Sequence, residues 1–169
     1  GAEQAAITLN SLTDAIAVAF IGEAIALRNA GITKPITLMQ GIFDQQEIEL
    51  ACEYQLDLVI LHAEQARMLE AEPCSRALRI WLKFDSGMHR LGFSANEYAY
   101  WYQHLREHPH VAEVRLMTHF SCADEPDNPV TTEQEALFDR TTKALQGAVY
   151  SLANSAAIMA WPSTGRDWV

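Results

Sequence analysis

The stretch "RIWLKFDSGMHRLGF" (79–93), followed at once by "SANEYAYWYQHLREH" (94–108), decides how the rest of the chain is read. Its first half begins as apolar alternation, which predicts a strand. It ends in a glycine-bearing, charged turn that gathers Lys83, Asp85, His89 and Arg90 within eight positions. The second half reads as a helix. A strand that looks buried yet ends in so much charge predicts that its polar residues are delivered to a ligand.

The same strand-then-helix phrase recurs on both sides. Residues 1–12 read as a short helix, "DAIAVAF" (14–20) as a buried strand, and "IGEAIALRNAG" (21–31) as a helix closed by Gly31. "PITLMQG" (35–41) is followed by the helix "DQQEIELACEYQ" (44–55), with Asp44 placed to cap it, and "LDLVILH" (56–62) by "AEQARMLEAE" (63–72). "EVRLMTHF" (113–120) leads to "TTEQEALFDRTTKAL" (131–145), and "VYSLA" (149–153) to "NSAAIMAW" (154–161). Six short strands alternating with helices predict βαβ units and a parallel sheet, because parallel neighbours need a crossover. Periodicity leaves a barrel and an open sheet equally allowed, and 169 residues are short of the roughly 250 of a closed eight-fold α/β barrel.

Composition narrows the function. The chain is 49% apolar and 20% charged, as ordinary globular proteins are. A formal charge of −10 argues against a binder of phosphate backbones, so nucleic acid is not an expected partner. The most apolar run, 15–27, is interrupted by Glu23, is shorter than the roughly 20 residues of a spanning helix and lacks a basic lead. Neither a membrane span nor a signal peptide is expected. Cys52, Cys74 and Cys122 contain no CxxC pair, which suggests neither a disulfide framework nor a zinc ribbon and fits a reducing, cytoplasmic setting. No GxGxxG or GxxxxGK[ST] follows the first strand, so neither dinucleotide nor P-loop binding has support.

In either parallel architecture the ligand lies beyond the carboxyl ends of the strands. Three consecutive strands end suggestively: the fourth in Lys83, Asp85 and the turn with Arg90, the fifth in His119, the sixth in Asn154 and Ser155 where a helix begins. Unpaired N–H groups and a small hydroxyl there suit an anion. Each has a bland counterpart. His119 can be a satisfied structural histidine, "NSAA" only a cap before helix formers, and Lys83 an outward-pointing lysine with its stem packed along helices.

The spelling adds what placement cannot. "WLKFDSGMHRLGF" (81–93), "MTHFSCADEPDNP" (117–129), "SLANSAAIMAWP" (151–162) and "DWV" (167–169), in that order, together with "EAIALRNAGITKPITLMQGIFD" (23–44), closely resemble bacterial alanine racemases over essentially the whole chain. That resemblance implies part of a TIM-type (β/α)8 barrel, about six parallel strands with helices outside. It also implies pyridoxal 5′-phosphate as cofactor, alanine as substrate and a homodimer. By the same resemblance Arg90 hydrogen-bonds the cofactor's phenolic oxygen, a task suited to a permanently charged fork of donors. His119 lies against the pyridine ring and supports the arginine, Ser155 holds the phosphate, and Asn154 shapes that end of the pocket. Lys83 matches a lysine that some members carry as a carbamate, whose formation needs the neutral amine that desolvation favours.

Residues 1–169 are expected to be an incomplete racemase-like barrel. The family's Schiff-base lysine sits in a first-strand phrase like "KANAYGHG", whereas this sequence opens "GAEQAA". The last strands, the C-terminal β-domain and the tyrosine serving as opposite-face base are expected to lie beyond "RDWV". No catalytic base of that pair is assigned within the chain, and the isolated chain is expected to be inactive. A rival is a non-catalytic cofactor-binding or structural barrel fragment. A remote one is a zinc peptidase, since "HLREH" (104–108) fits H-x-x-E-H, with His104 and His108 on one helix face and Glu107 as base; Pro109 and an outer-helix position speak against it.

Overall fold

In the computed structural model, which describes residues 1–71, 74, 76–145 and 147–169, strand and helix alternate as the sequence predicts. The elements are α1 (Ala2–Leu9), β1 (Ile16–Val18), α2 (Ile21–Asn29), β2 (Ile36–Leu38), α3 (Gln45–Glu53), β3 (Asp57–Ile60), α4 (Ala63–Ala71) and β4 (Leu78–Lys83). There follow α5 (Ala95–Arg106), β5 (Val111–Met117), α6 (Val130–Thr142), β6 (Tyr150–Ser151), α7 (Ser155–Ala160) and a 3-10 turn at Pro162–Thr164. The predicted extension of the fourth helix to Glu72 lies outside the described residues. The strands follow one another in chain order, β1 to β6, as one sheet of an α/β fold. Two compact units divide the chain: Gly1–Ile80 with His108–Glu113, and Trp81–Glu107 with Val114–Val169.

The first unit holds β1, β2 and β3 in parallel register, Ile16 opposite Ile36 and Thr37 opposite Asp57. Every residue of β2 and β3 is buried, because crossover helices leave a parallel strand no wet face. Asp44 caps α3 by accepting from the Glu47 N–H at 3.0 Å. Asp57, buried at the start of β3, pairs with Arg79 through two hydrogen bonds of 2.8 and 2.9 Å. Gln65, 2% exposed on α4, accepts from the Leu61 N–H at 2.8 Å and donates to the Gln40 carbonyl at 2.8 Å and the Ile42 carbonyl at 3.1 Å. One buried amide thus fastens the loop before its own helix to the loop before α3.

The cysteine reading needs correction. Cys52 and Cys74 form a disulfide, with Cα atoms 6.1 Å apart and a sequence separation of 22. Spacing gave no sign of it, because the pairing depends on where the last turn of α3 meets the segment after α4.

In the second unit β5 and β6 are parallel, with Leu116 opposite Tyr150, and the Phe84 N–H donates to the Met117 carbonyl at 2.8 Å. Phe84, Tyr98, Phe120 and Phe138 form its aromatic core, each at most 1% exposed. The Phe84 ring lies 5.0 Å from Tyr98 and 6.0 Å from Phe138. The one polar atom of that group is answered: the Tyr98 hydroxyl donates to the Leu82 carbonyl at 2.9 Å. The alternation expected of β4 is not observed; apart from half-buried Arg79 all its residues are buried, again because a parallel strand is covered on both faces.

Candidate functional site

Lys83, Asp85, Arg90, His119, Asn154 and Ser155 all fall in the second unit, at the carboxyl ends of β4, β5 and β6. β4 finishes at Lys83, and the chain then makes a closed turn. The Phe93 N–H donates to the Lys83 carbonyl at 2.8 Å and the Asp85 N–H to the Phe93 carbonyl at 3.0 Å. The turn returns so tightly that Gly92, at φ +127°, has room for no side chain: an added Cβ would stand 2.7 Å from the Asp85 nitrogen and 2.8 Å from the Phe84 carbonyl carbon. Inside the turn the Asp85 carboxylate accepts from the N–H groups of Gly87 at 3.0 Å and His89 at 2.9 Å, and contacts the His89 ring at 3.2 Å. His89 adopts φ +55°, and Arg90 follows it on the exposed crest. The aspartate therefore folds the loop that presents the arginine.

β5 is locked to this turn through hydroxyls. Thr118, buried, donates to the Phe84 carbonyl at 2.9 Å and lies 2.7 Å from the Ser86 hydroxyl. His119 comes next and is half-buried. Beyond it the Phe120 carbonyl accepts from the Asn154 side-chain amide at 3.1 Å, while the Asn154 oxygen caps α7 by accepting from the Ala157 N–H at 3.0 Å. Both ends of that amide are thereby engaged, one as a cap and one as a tie to the loop after β5. Ser155, first residue of α7, is exposed. Ser86, Thr118 and Gln134, which help build this end, were not anticipated. Their only sequence signal is a small or amide polar residue at a position whose burial shows in three dimensions alone.

The electrostatics tie three of the expected residues together. Lys83 is 7% exposed, so the outward-pointing reading fails. Burial above all, and then the Arg90 charge, hold its ammonium below the usual lysine range, against the opposing pull of Asp85. His119 is lowered by burial first and then by the positive charges of Lys83 and Arg90. Burial alone would raise Asp85, but the N–H groups of His89 and Gly87 and the His89 ring outweigh it and lower the carboxyl. The result is a permanent cation, an amine biased toward neutrality and an imidazole biased the same way, within electrostatic reach of one another.

The Lys34 ammonium donates to the Thr13 carbonyl, ahead of β2, and Lys143 is exposed at the end of α6. α5 ends at Arg106, so His104 and His108 do not share a helical face. The His104 ring stacks on Tyr100 at 5.4 Å, and His108 accepts from the His110 N–H at 3.4 Å. The zinc-peptidase reading loses the geometry it depended on. No helix among the described residues is long and apolar enough to cross a membrane.

Comparison with known proteins gives the family and fold of the chain. The family model "Alanine racemase, N-terminal domain" matches residues 1–169. The alanine racemase of Azoarcus sp. is 46% identical over 168 residues, 99% of this chain and 47% of that protein. That of Shewanella amazonensis is 42% identical over 161 residues, 95% of this chain and 44% of that protein. The crystal structure of the biosynthetic alanine racemase from Pseudomonas aeruginosa superposes with a TM-score of 0.95 at 40% identity, covering 100% of this chain and 47% of that one. The Acinetobacter baumannii alanine racemase does so at 0.90 and 31% identity, covering 100% of this chain and 50% of that one. The chain thus spans about half the length of the relatives it matches.

Proposed function

The chain belongs to the alanine racemase N-terminal domain family, a partial α/β barrel of parallel strands, and from that premise we propose that it is the part of a pyridoxal-phosphate-dependent alanine racemase that seats the cofactor. The observation that supports this most is the grouping of Lys83, Arg90 and His119 beyond β4 and β5, with Asn154 tied to the residue after His119. The donor set suits the group: a guanidinium for an anionic ring oxygen, a half-buried imidazole, and a serine hydroxyl at a helix start for the phosphate.

When bound, the cofactor supplies the electron sink that acidifies the α-hydrogen of alanine. The residues of this chain orient and hold it. Arg90 donates to the phenolic oxygen, since a guanidinium stays charged at every working pH. His119, kept neutral, offers a ring for packing without adding a second positive charge. Ser155 binds the phosphate and Asn154 fixes the loop beside it. Lys83 is biased toward the neutral amine that adds carbon dioxide, and the carbamate so formed would pair with Arg90. NMR after equilibration with isotopically labelled carbon dioxide would show the carbamate carbon, and its absence would remove that part of the reading.

Alanine is the proposed substrate and a homodimer the proposed assembly, both from the family. The 169-residue chain alone is expected to be inactive, for want of the two opposite-face bases. The test grafts residues 1–169 in place of the matching segment of the Pseudomonas aeruginosa enzyme and follows D-alanine formation from L-alanine with added cofactor. Turnover by the graft, lost by roughly a hundredfold or more in R90A, is expected. Turnover insensitive to Arg90 and His119 substitution would overturn the assignment.

A further inference from the structure

Gln134 lies in the middle of α6, well away from any strand end in sequence, yet it is 2% exposed and its amide reaches the loop after β5. Its oxygen accepts from the Ser121 N–H at 3.0 Å and from the Ser121 hydroxyl at 3.2 Å, and its nitrogen faces the His119 carbonyl at 3.5 Å. The same side chain lies directly under the other loop of the site. A Cβ on Gly87 would stand 3.5 Å from the Gln134 Cγ and 3.7 Å from its amide nitrogen. One buried side chain therefore backs both the turn that presents Arg90 and the loop that carries His119.

We propose that Gln134 is a positioning residue for this site: its amide holds the loop after β5 and supports the turn after β4, setting the approach of the His119 imidazole to Arg90 and Lys83. The inference rests on the functional reading above only in what the site binds; the positioning itself is a property of the loops.

The physical case has two parts. A buried amide is costly unless its polar atoms are answered, so Gln134 occupies this interior position at a net gain only when Ser121 and the His119 carbonyl meet it. That requirement converts burial into a constraint on loop geometry, because a shift of the loop after β5 leaves an unsatisfied polar group, while the turn after β4 is held only by packing against the same side chain. The second part is that the device occurs twice. Gln65, equally buried on α4, answers the Leu61 N–H of the loop before its own helix and the Gln40 and Ile42 carbonyls of the preceding loop. There too the side chain lies against a glycine of the preceding loop, since a Cβ on Gly41 would meet the Gln65 amide nitrogen at 2.6 Å. A glutamine in the helix after a strand, tying consecutive loops at the strands' carboxyl ends, is thus a repeated construction in this fold. Of the two, Gln134 is the one whose loops carry Arg90 and His119.

Gln65 also supplies the control. The experiment compares Q134M with Q65M, the same removal of a buried amide in the same chain, and follows the His119 imidazole by NMR as pH is varied, with no cofactor present. If Gln134 sets the approach of the imidazole to the two cations, Q134M moves the His119 titration up toward the ordinary histidine range, while Q65M leaves it in place even where both lower stability. Should Q134M not fold, Q134N keeps an amide too short to reach both Ser121 and the His119 carbonyl, and S121A removes the hydroxyl partner; both are expected to move the titration in the same direction, by less. In the Pseudomonas aeruginosa graft, Q134M is expected to cost roughly tenfold or more in turnover.

An unmoved His119 titration in Q134M, or an equal movement in Q65M, would overturn the proposal. Movement confined to Q134M, alongside a graft whose turnover is insensitive to Arg90 and His119 substitution, would leave the positioning intact and defeat the functional reading, so the two failures are separable.

Discussion

Asp85 does two things with one carboxylate. It receives the N–H groups of Gly87 and His89, and through them it determines where Arg90 stands. Replacing it by alanine leaves those donors without a partner and is expected to cost about 2 kcal/mol, read as a lower urea midpoint, because hydrogen bonds to a charged group exceed neutral ones. The pH dependence follows from its lowered carboxyl. Relative to the unfolded chain, Asp85 adds stability above the ordinary carboxylate value of 3.8, and loses it as pH falls through the lower folded value. His119 acts in a different window. Its folded pKa lies below the ordinary 6.5, so between the two the unfolded chain binds the proton first and stability rises with pH. A urea series across that window should show the rise in the parent chain and a flatter line in H119Q; an unchanged slope would mean that the imidazole is not held as described.

At the scale of the element, the turn from Lys83 to Phe93 is rigid because its backbone closes on itself. Gly92 is the position where that closure tolerates least. An alanine there combines φ +127° with contacts under 3.0 Å to backbone atoms, which cannot rotate away as a side chain could. G92A is expected to destabilise by about 1–3 kcal/mol and to disorder Arg90, visible as a lower Tm and as loss of the depressed His119 titration. The helices around this turn were readable before any coordinates: Asp44 as a cap, Gly31 after α2, and Asn154 before α7 follow from local chemistry. The burial of β4 was not, since alternation within seven residues predicts one wet face and the covering of the second depends on crossovers distant in sequence.

For the whole chain, the disulfide between Cys52 and Cys74 is the feature most open to direct test. It closes a loop containing β3 and α4, its ends 22 positions apart in sequence, and cross-links of that span stabilise by about 3 kcal/mol. Reduction, or C52A with C74A, should lower the urea midpoint accordingly; an equal midpoint in thiol and in oxidising buffer would show that the bond adds nothing to the fold. Family membership belongs to this scale as well. Relatives at 40–46% identity match nearly all of this chain while it spans about half of theirs, so the activity of a complete racemase is argued through the graft.

By itself the sequence determined the order of six strands and their helices, the parallel pairing, and the end of the strands where Lys83, Arg90, His119, Asn154 and Ser155 collect. Periodicity, caps and crossover length are local properties, and spelling over long stretches carries family. Only tertiary structure decided that Lys83 is buried, that Cys52 meets Cys74, and that Gln134 backs two loops at once. Each of those depends on which distant segments share a volume, and burial and polar pairing there depend on neighbours that no window of sequence contains.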